Sequence, residues 1–190
     1  MIRAILVAGS MLVVAPAAMA QVTPAATGAM TASDTGVLPI SGLDAARYVG
    51  AASDANKYLI EASKVAIRKS KRDDVKTYAK RITEEYGTMQ QSLLAALKNE
   101  QRTIARPADK LSTENQSALD LLVKAPAESF DNMYLAQQAQ ALQSAWAINK
   151  GYAGDGTDVA LKQVAGMAVP KIEQHLSITK GMLPAGMGAH

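Results

Sequence analysis

The feature that most constrains this chain is a spacing. Val75, Ala79, Ile82, Tyr86, Met89, Leu93 and Leu97 recur at steps of three and four. That period places them on one face of an α-helix, and its nearness to a heptad suits long helices packed at shallow angles. Tyr48, Ala52, Ala55, Leu59, Ala62 and Ala66 repeat the pattern upstream. A third stripe holds Phe130, Tyr134, Ala141, Ala145, Ile148 and Tyr152, and a fourth Leu161, Val164, Ala165, Val169, Ile172 and Leu176. A shorter segment, Ser112 to Lys124, turns Leu119, Leu122 and Val123 inward. No period-two strand pattern competes, and aromatic residues make up only 4% of the chain. The expected fold class is therefore all-α: four long helices and one short one.

Local signals set the expected boundaries. Ser41-Gly42-Leu43-Asp44 and Ser70-Lys71-Arg72-Asp73 read as capping boxes with Asp in place of Glu. Pro107 and Pro126 close connections, Gly151 to Gly156 reads as a turn, and Asp158 opens the last helix. Pro170 lies inside that last stripe, so a kink or a break near Ala168 is expected. Residues 21–42 and 181–190 have no apolar period and are rich in small residues, Gly and Pro. They read as a flexible linker and a flexible tail around a helical domain at 43–180.

The N-terminus speaks to location. Arg3 precedes an apolar run from Ala4 to Val14, and Ala18-Met19-Ala20 supplies an A-x-A site. This is the grammar of a secretory signal peptide over residues 1–20, too short for an ordinary span of about 20 apolar residues. The mature chain is then expected in the periplasm or otherwise exported, without a transmembrane span. Cysteine is absent, which excludes thiolate chemistry, Cys-ligated zinc and lipidation at a cysteine. The formal charge is +3, and +2 once Arg3 is lost, too little to indicate nucleic acid as a partner. The expected partner is a protein or an envelope component that the sequence leaves unspecified.

The ordered motifs resemble a known family. Asp54-Ala55-Asn56 with Glu61-Ala62, Val75-Lys76-Thr77-Tyr78-Ala79, Phe130-Asp131-Asn132-Met133-Tyr134 with Gln138, and Leu161-Lys162 through Val169-Pro170 to His175-Leu176 carry the likeness. They are similar to the secreted bacterial ferritin-like family known as domain of unknown function 4142, over roughly Leu43 to Lys180. The resemblance implies a ferritin-like four-helix bundle with one extra short helix, in the cell envelope, with no settled activity. Members of that family commonly carry Asp-His where this chain has Glu85-Tyr86, and often a His where it has Leu142. Glu61, Glu85 and His175 are what remains of a polar or metal site.

A ferritin-like di-metal centre uses Glu-x-x-His on two helices, because i and i+3 share a face. Here His175 is preceded at that spacing by Ile172, and His190 is the only other histidine. The residues therefore favour a non-catalytic binding or stress-related structural module with no cofactor. The alternative is a divalent metal on a reduced site of Glu61, Glu85 and His175. Met167, Met182, Met187 and His190 offer a further alternative, soft ligands for Cu(I), against which stands the ordinary use of Met as core filler. The run Arg68-Lys69-Ser70-Lys71-Arg72 suits an anionic surface, or more simply the C-terminal dipole of the first long helix. Tyr86 falls on a buried stripe, so its hydroxyl needs a partner, which Glu61 or His175 would supply in a polar cluster.

Intact-mass analysis of the exported protein should show a chain that begins at Gln21. A retained Met1 to Ala20 segment would mean that the apolar run serves as an uncleaved anchor.

Overall fold

A computed structural model describes residues 29–98 and 104–184 of the chain. The expected signal peptide, residues 21–28 of the expected linker and residues 185–190 of the tail lie outside the described residues. Six helices follow one another: α1 (Ala32–Thr35), α2 (Ala45–Lys69), α3 (Asp73–Ala96), α4 (Thr113–Lys124), α5 (Phe130–Asp155) and α6 (Val159–Met182). Among the described residues there is no strand. No helix among them is long and apolar enough to cross a membrane.

The four long helices form a ring in which α2 packs on α3 and α5, and α6 packs on α5 and α3. Side-chain pairs give the directions. Tyr48 bonds Asn149 and Ser63 bonds Tyr134, so α2 and α5 run antiparallel. Tyr78 bonds Thr179 and Glu85 bonds His175, so α3 and α6 also run antiparallel. The segment from α3 to α5 must return along the whole length of the domain, and α4 lies on that path against α2 and α5.

The stripes are buried as the spacing demands. All six stripe residues of α2 lie in the core, as do Val75, Ala79, Ile82, Tyr86 and Leu93 of α3. Met89 and Leu97 are only partly covered. In α4, Leu122 is buried and Leu119 half-buried, but Val123 points outward at 49% exposure. One helical residue turns the side chain by about 100°, so Leu122 and Val123 do not share the inner face. The stripe expected on α5 understates its burial. Leu135, Gln138, Leu142, Trp146, Ala147 and Asn149 are buried too, because α5 is covered by α2, α4, α6 and the N-terminal segment.

Several boundaries depart from the expectation. Asp44 is itself the N-cap of α2, accepting from the Arg47 N–H at 2.8 Å. Ser41 does not cap the helix, since Gly42 holds φ at 73°, in the left-handed region. Ser70 ends α2 instead of opening α3, and its hydroxyl accepts from the Arg72 N–H at 3.1 Å. Pro170 sits within an unbroken α6. It cannot donate to the Gly166 carbonyl, but both residues are on the exposed side, away from the core. Helix α6 also runs through Gly181 and Met182, past the expected start of the tail.

The largest difference concerns residues 29–42, read as linker. They form a strap across α5 and α6. Thr35 is fully buried, its carbonyl accepts from Gln143 at 2.6 Å, and the Asp34 carbonyl accepts from Lys180 at 2.7 Å. The Ile40 N–H donates to the Ala147 carbonyl at 2.9 Å, and the Gly42 N–H to Asp155 at 2.8 Å. This crossing explains Gly151, which lies inside α5 and not in a turn. A Cβ there would meet the Ile40 carbonyl oxygen at 1.9 Å. The glycine is a seat for the strap.

Gly151→Ala should therefore dislodge the strap while leaving the helices in place. We expect a stability loss of about 1–3 kcal/mol, the usual scale for overpacking, and new proteolytic cleavage within residues 29–42. Wild-type protease resistance in that segment would show that the strap is not seated on Gly151.

Candidate binding cleft

Between α3 and α6, over a floor made by α2 and α5, lies a cleft of about 240 Å³. Its walls are mostly apolar: Met89 and Leu93 from α3, beside Thr88 and Ser92, and Val164, Met167 and Ala168 from α6, with Ala52 below. Met167 is 64% exposed, unusual for a large apolar side chain, and stands at the rim. The floor is polar but already paired. Tyr48 donates to Asn149 at 3.0 Å, and the Asn149 amide donates to the Ala145 carbonyl at 2.8 Å. Asn56 donates to Gln90 at 3.3 Å, and Gln90 donates to Ser53 at 2.8 Å. Burial, with Tyr152 stacked on its ring at 4.0 Å, raises the Tyr48 pKa well above the ordinary range. Tyr48 is thus a fixed donor.

Glu85 and Lys171 are the charged residues of the lining. Glu85 accepts from Arg81 at 2.6 Å, one turn back on α3, and from the His175 Nε2 at 3.1 Å across to α6. Lys171 stands 3.8 Å from the same carboxylate. Burial pushes the Glu85 pKa up, but the bonds from Arg81 and His175 and the charges of both outweigh it, so the net shift is downward. Glu85 is therefore an anion at neutral pH.

His175 is fully buried. An ionised carboxylate can only accept, so the ring carries its proton on Nε2 and presents a bare acceptor at Nδ1. That Nδ1 has no hydrogen-bond partner among the described residues. The Tyr86 hydroxyl is likewise buried without a partner, with its ring centroid 5.7 Å from that of His175. Tyr78 lies on another side of the imidazole at 5.8 Å and bonds Thr179 at 2.6 Å. Gln138 is buried in α5 with both amide atoms unpaired.

The structure thus brings together two of the three proposed ligands. Glu85 and His175 meet directly. Glu61 bonds Lys64 at 2.8 Å and lines a shallow groove beside Lys57 and Asp109. No group of three or more His, Asp or Glu side chains among the described residues is arranged to hold a metal ion. Tyr86 is as buried as its stripe requires, but it bonds neither Glu61 nor His175. Met167 lines the cleft, Met182 packs against the core, and Met187 and His190 lie outside the described residues. In the basic run, Lys69 caps the end of α4 through the Val123 and Ala125 carbonyls, and Arg72 pairs with Asp74. The sequence argument missed Lys171 and Met89 as cleft residues. The available signal was the pair of one-turn spacings Arg81–Glu85 and Lys171–His175 on two amphipathic helices.

The cluster has a pH consequence. Burial lowers the His175 pKa, the bond to Glu85 and its charge raise it in part, and Arg81 and Lys171 lower it again, leaving a net downward shift. The unfolded chain then takes up this proton near the ordinary value of 6.5, before the folded protein does. Stability from this group is full above that pH and falls as pH drops through it. The lowered Glu85 pKa adds a second loss at more acid pH, below the ordinary 4.5. Urea unfolding should show less stability at about pH 5 than at neutral pH, and His175→Gln should flatten that slope. An unchanged slope in the variant would remove His175 as its source.

Among known proteins, no curated protein and no solved structure matches this chain. A family model does, over residues 23–182, which takes in all six helices and every residue of the cleft. The chain belongs to the family described as Domain of unknown function (DUF4142).

Proposed function

We propose that this is an exported, ferritin-like helical bundle that binds a small molecule in the α3–α6 cleft and performs no reaction on it. The cleft carries the reading: a formed apolar cavity between helices, with a few fixed polar groups, is the usual architecture of a ligand site. Its acid–base residues are committed elsewhere. Glu85 is held ionised by Arg81 and His175, so it is a weak base, and His175 is buried behind it. The chain path supports the ferritin-like comparison. Two antiparallel pairs joined by one long connection, which makes α3 and α5 parallel, is the arrangement that such folds use. The signal-peptide grammar of residues 1–20 supports a place in the periplasm or cell envelope. A divalent metal on Glu61, Glu85 and His175 is the less favoured reading, since Glu61 stands apart with Lys64.

The test is a titration with indole, a small neutral apolar probe, followed by nuclear magnetic resonance of the methionine methyl groups. Saturable shifts confined to Met89 and Met167 are expected, with a dissociation constant on the order of 1 mM. Ala168→Leu, which fills the cleft, should abolish them. Shifts that extend equally to methionines away from the cleft, such as Met30, Met133 and Met182, or that are unaffected by the filling substitution, would remove the cleft as a binding site.

A further inference from the structure

The charges at the mouth of the cleft make it selective. We infer that it takes amphiphiles with an anionic head and an unbranched apolar tail of medium length, such as a medium-chain carboxylate, with Lys171 as the head-group residue. The inference rests on the cleft being the binding site.

The argument starts from the two charges in the lining. Glu85 already serves two partners: one oxygen accepts from the Arg81 guanidinium at 2.6 Å and the other from the His175 ring at 3.1 Å. Arg81 is held in turn by a second bond, to Gln174 at 3.1 Å, and it does not line the cleft. Lys171 is different. At 3.8 Å it is an ion-pair neighbour of Glu85 but too far for a hydrogen bond, and its side chain is half-exposed. It is the cation of the cleft lining, and its ammonium can turn from Glu85 to an incoming anion without breaking a hydrogen bond. With His175 neutral, Arg81 and Lys171 against Glu85 leave an excess of one positive charge there. A cationic ligand would meet that excess and find the carboxylate already taken. A neutral one would leave Lys171 unused.

The shape sets the tail. Glu85, Met89 and Leu93 stand one turn apart on α3, and Lys171, Met167 or Ala168, and Val164 oppose them on α6. Charge is at one end, and the rest is mostly apolar, the Thr88 and Ser92 hydroxyls being turned back to carbonyls of their own helix. From Glu85 to Leu93 a helix advances about 12 Å at about 1.5 Å per residue. A cavity of about 240 Å³ holds roughly eight groups of water size, at about 30 Å³ each. Both limits describe a chain of about eight carbons, not a long lipid acyl chain. Met89 and Met167 suit such a tail because flexible thioethers adapt to its contour. Covering the rim would also bury the exposed Met167.

The experiment compares octanoate, octanol and octylammonium at neutral pH by the same methionine methyl shifts, on wild type and on Lys171→Met and Lys171→Arg. Lys171 is half-exposed, so neither substitution should disturb folding, and circular dichroism checks this. Octanoate should bind about tenfold more tightly than octanol, and octylammonium more weakly than either. Lys171→Met should bring octanoate to the level of octanol, and Lys171→Arg should keep the preference. Equal binding of octanoate and octanol to wild type, or an octanoate affinity untouched in Lys171→Met, would overturn the anion assignment and leave the cleft standing. Failure of all three probes to shift Met89 and Met167 would overturn both this inference and the binding reading on which it rests.

Discussion

The alanine-rich stripe of α2 is the constraint on which the domain depends. Ala52, Ala55, Ala62 and Ala66 are all buried, and α2 is the helix that α3, α4 and α5 all contact. Small side chains let the neighbouring helices come close, and close packing is where dispersion and burial are strongest. With no cysteine in the chain, this packing has no covalent support. The stripe also dictates what the facing helices carry. The same core holds Tyr134, Trp146 and Tyr152 on α5 and Tyr78 and Tyr86 on α3, all buried. Large aromatics on the outer helices fill what alanine on the shared helix leaves, and the phenols must then find partners within the core. Tyr48, Tyr58, Tyr78 and Tyr134 find them in Asn149, Gln137, Thr179 and Ser63.

The α3–α6 side follows a different logic. These helices meet through Arg81, Glu85, Lys171 and His175, and at the cleft through long, flexible Met89 and Met167. Long polar and thioether side chains pack less closely than alanine, so a cleft opens on this side and not between α2 and α5. The geometry of the cluster is set by one acceptor. Because Glu85 takes Arg81 and His175 together, the imidazole is fixed in one tautomer, with its second nitrogen turned into the core. A half-exposed carboxylate at the rim thereby controls the state of a fully buried ring, which ties the chemistry of the cleft mouth to the interior.

Much of this was legible in the sequence. The stripes of α2 and α3, the Asp158 cap and the stop at Pro126 follow from rules in which a residue answers only to its own helix. What was missed involves residues that answer to distant partners. Gly151 reads as a turn until Ile40 is known to lie across it. Residues 29–42 read as linker because their bonds to α5 and α6 are mostly from backbone, which leaves no apolar period. The unbroken path through Pro170 depends on the lost hydrogen bond falling on the solvent side. The buried face of α5 was understated because a helix covered from several sides has no single stripe to detect. For the site, the histidine count and the Glu85–His175 pair were readable from residue types and the family resemblance. The separation of Glu61 was not, because helical register alone does not say which neighbour a half-exposed carboxylate faces.

On the proposed reading, specificity would come from how the charges at the cleft rim are paired. A buried imidazole and a rim carboxylate that lack a third acidic partner do not have to be vestigial. Joined to Arg81, they neutralise one another and leave the next cation along the helix, Lys171, without a full partner. The same arrangement that commits Glu85 away from acid–base work supplies an unspent charge at the end of an apolar cleft. Selectivity of this kind needs no new residue in the core. It needs only that the rim holds more positive than negative charge, with one cation, Lys171, facing the cleft at ion-pair distance from its carboxylate and not hydrogen-bonded to it.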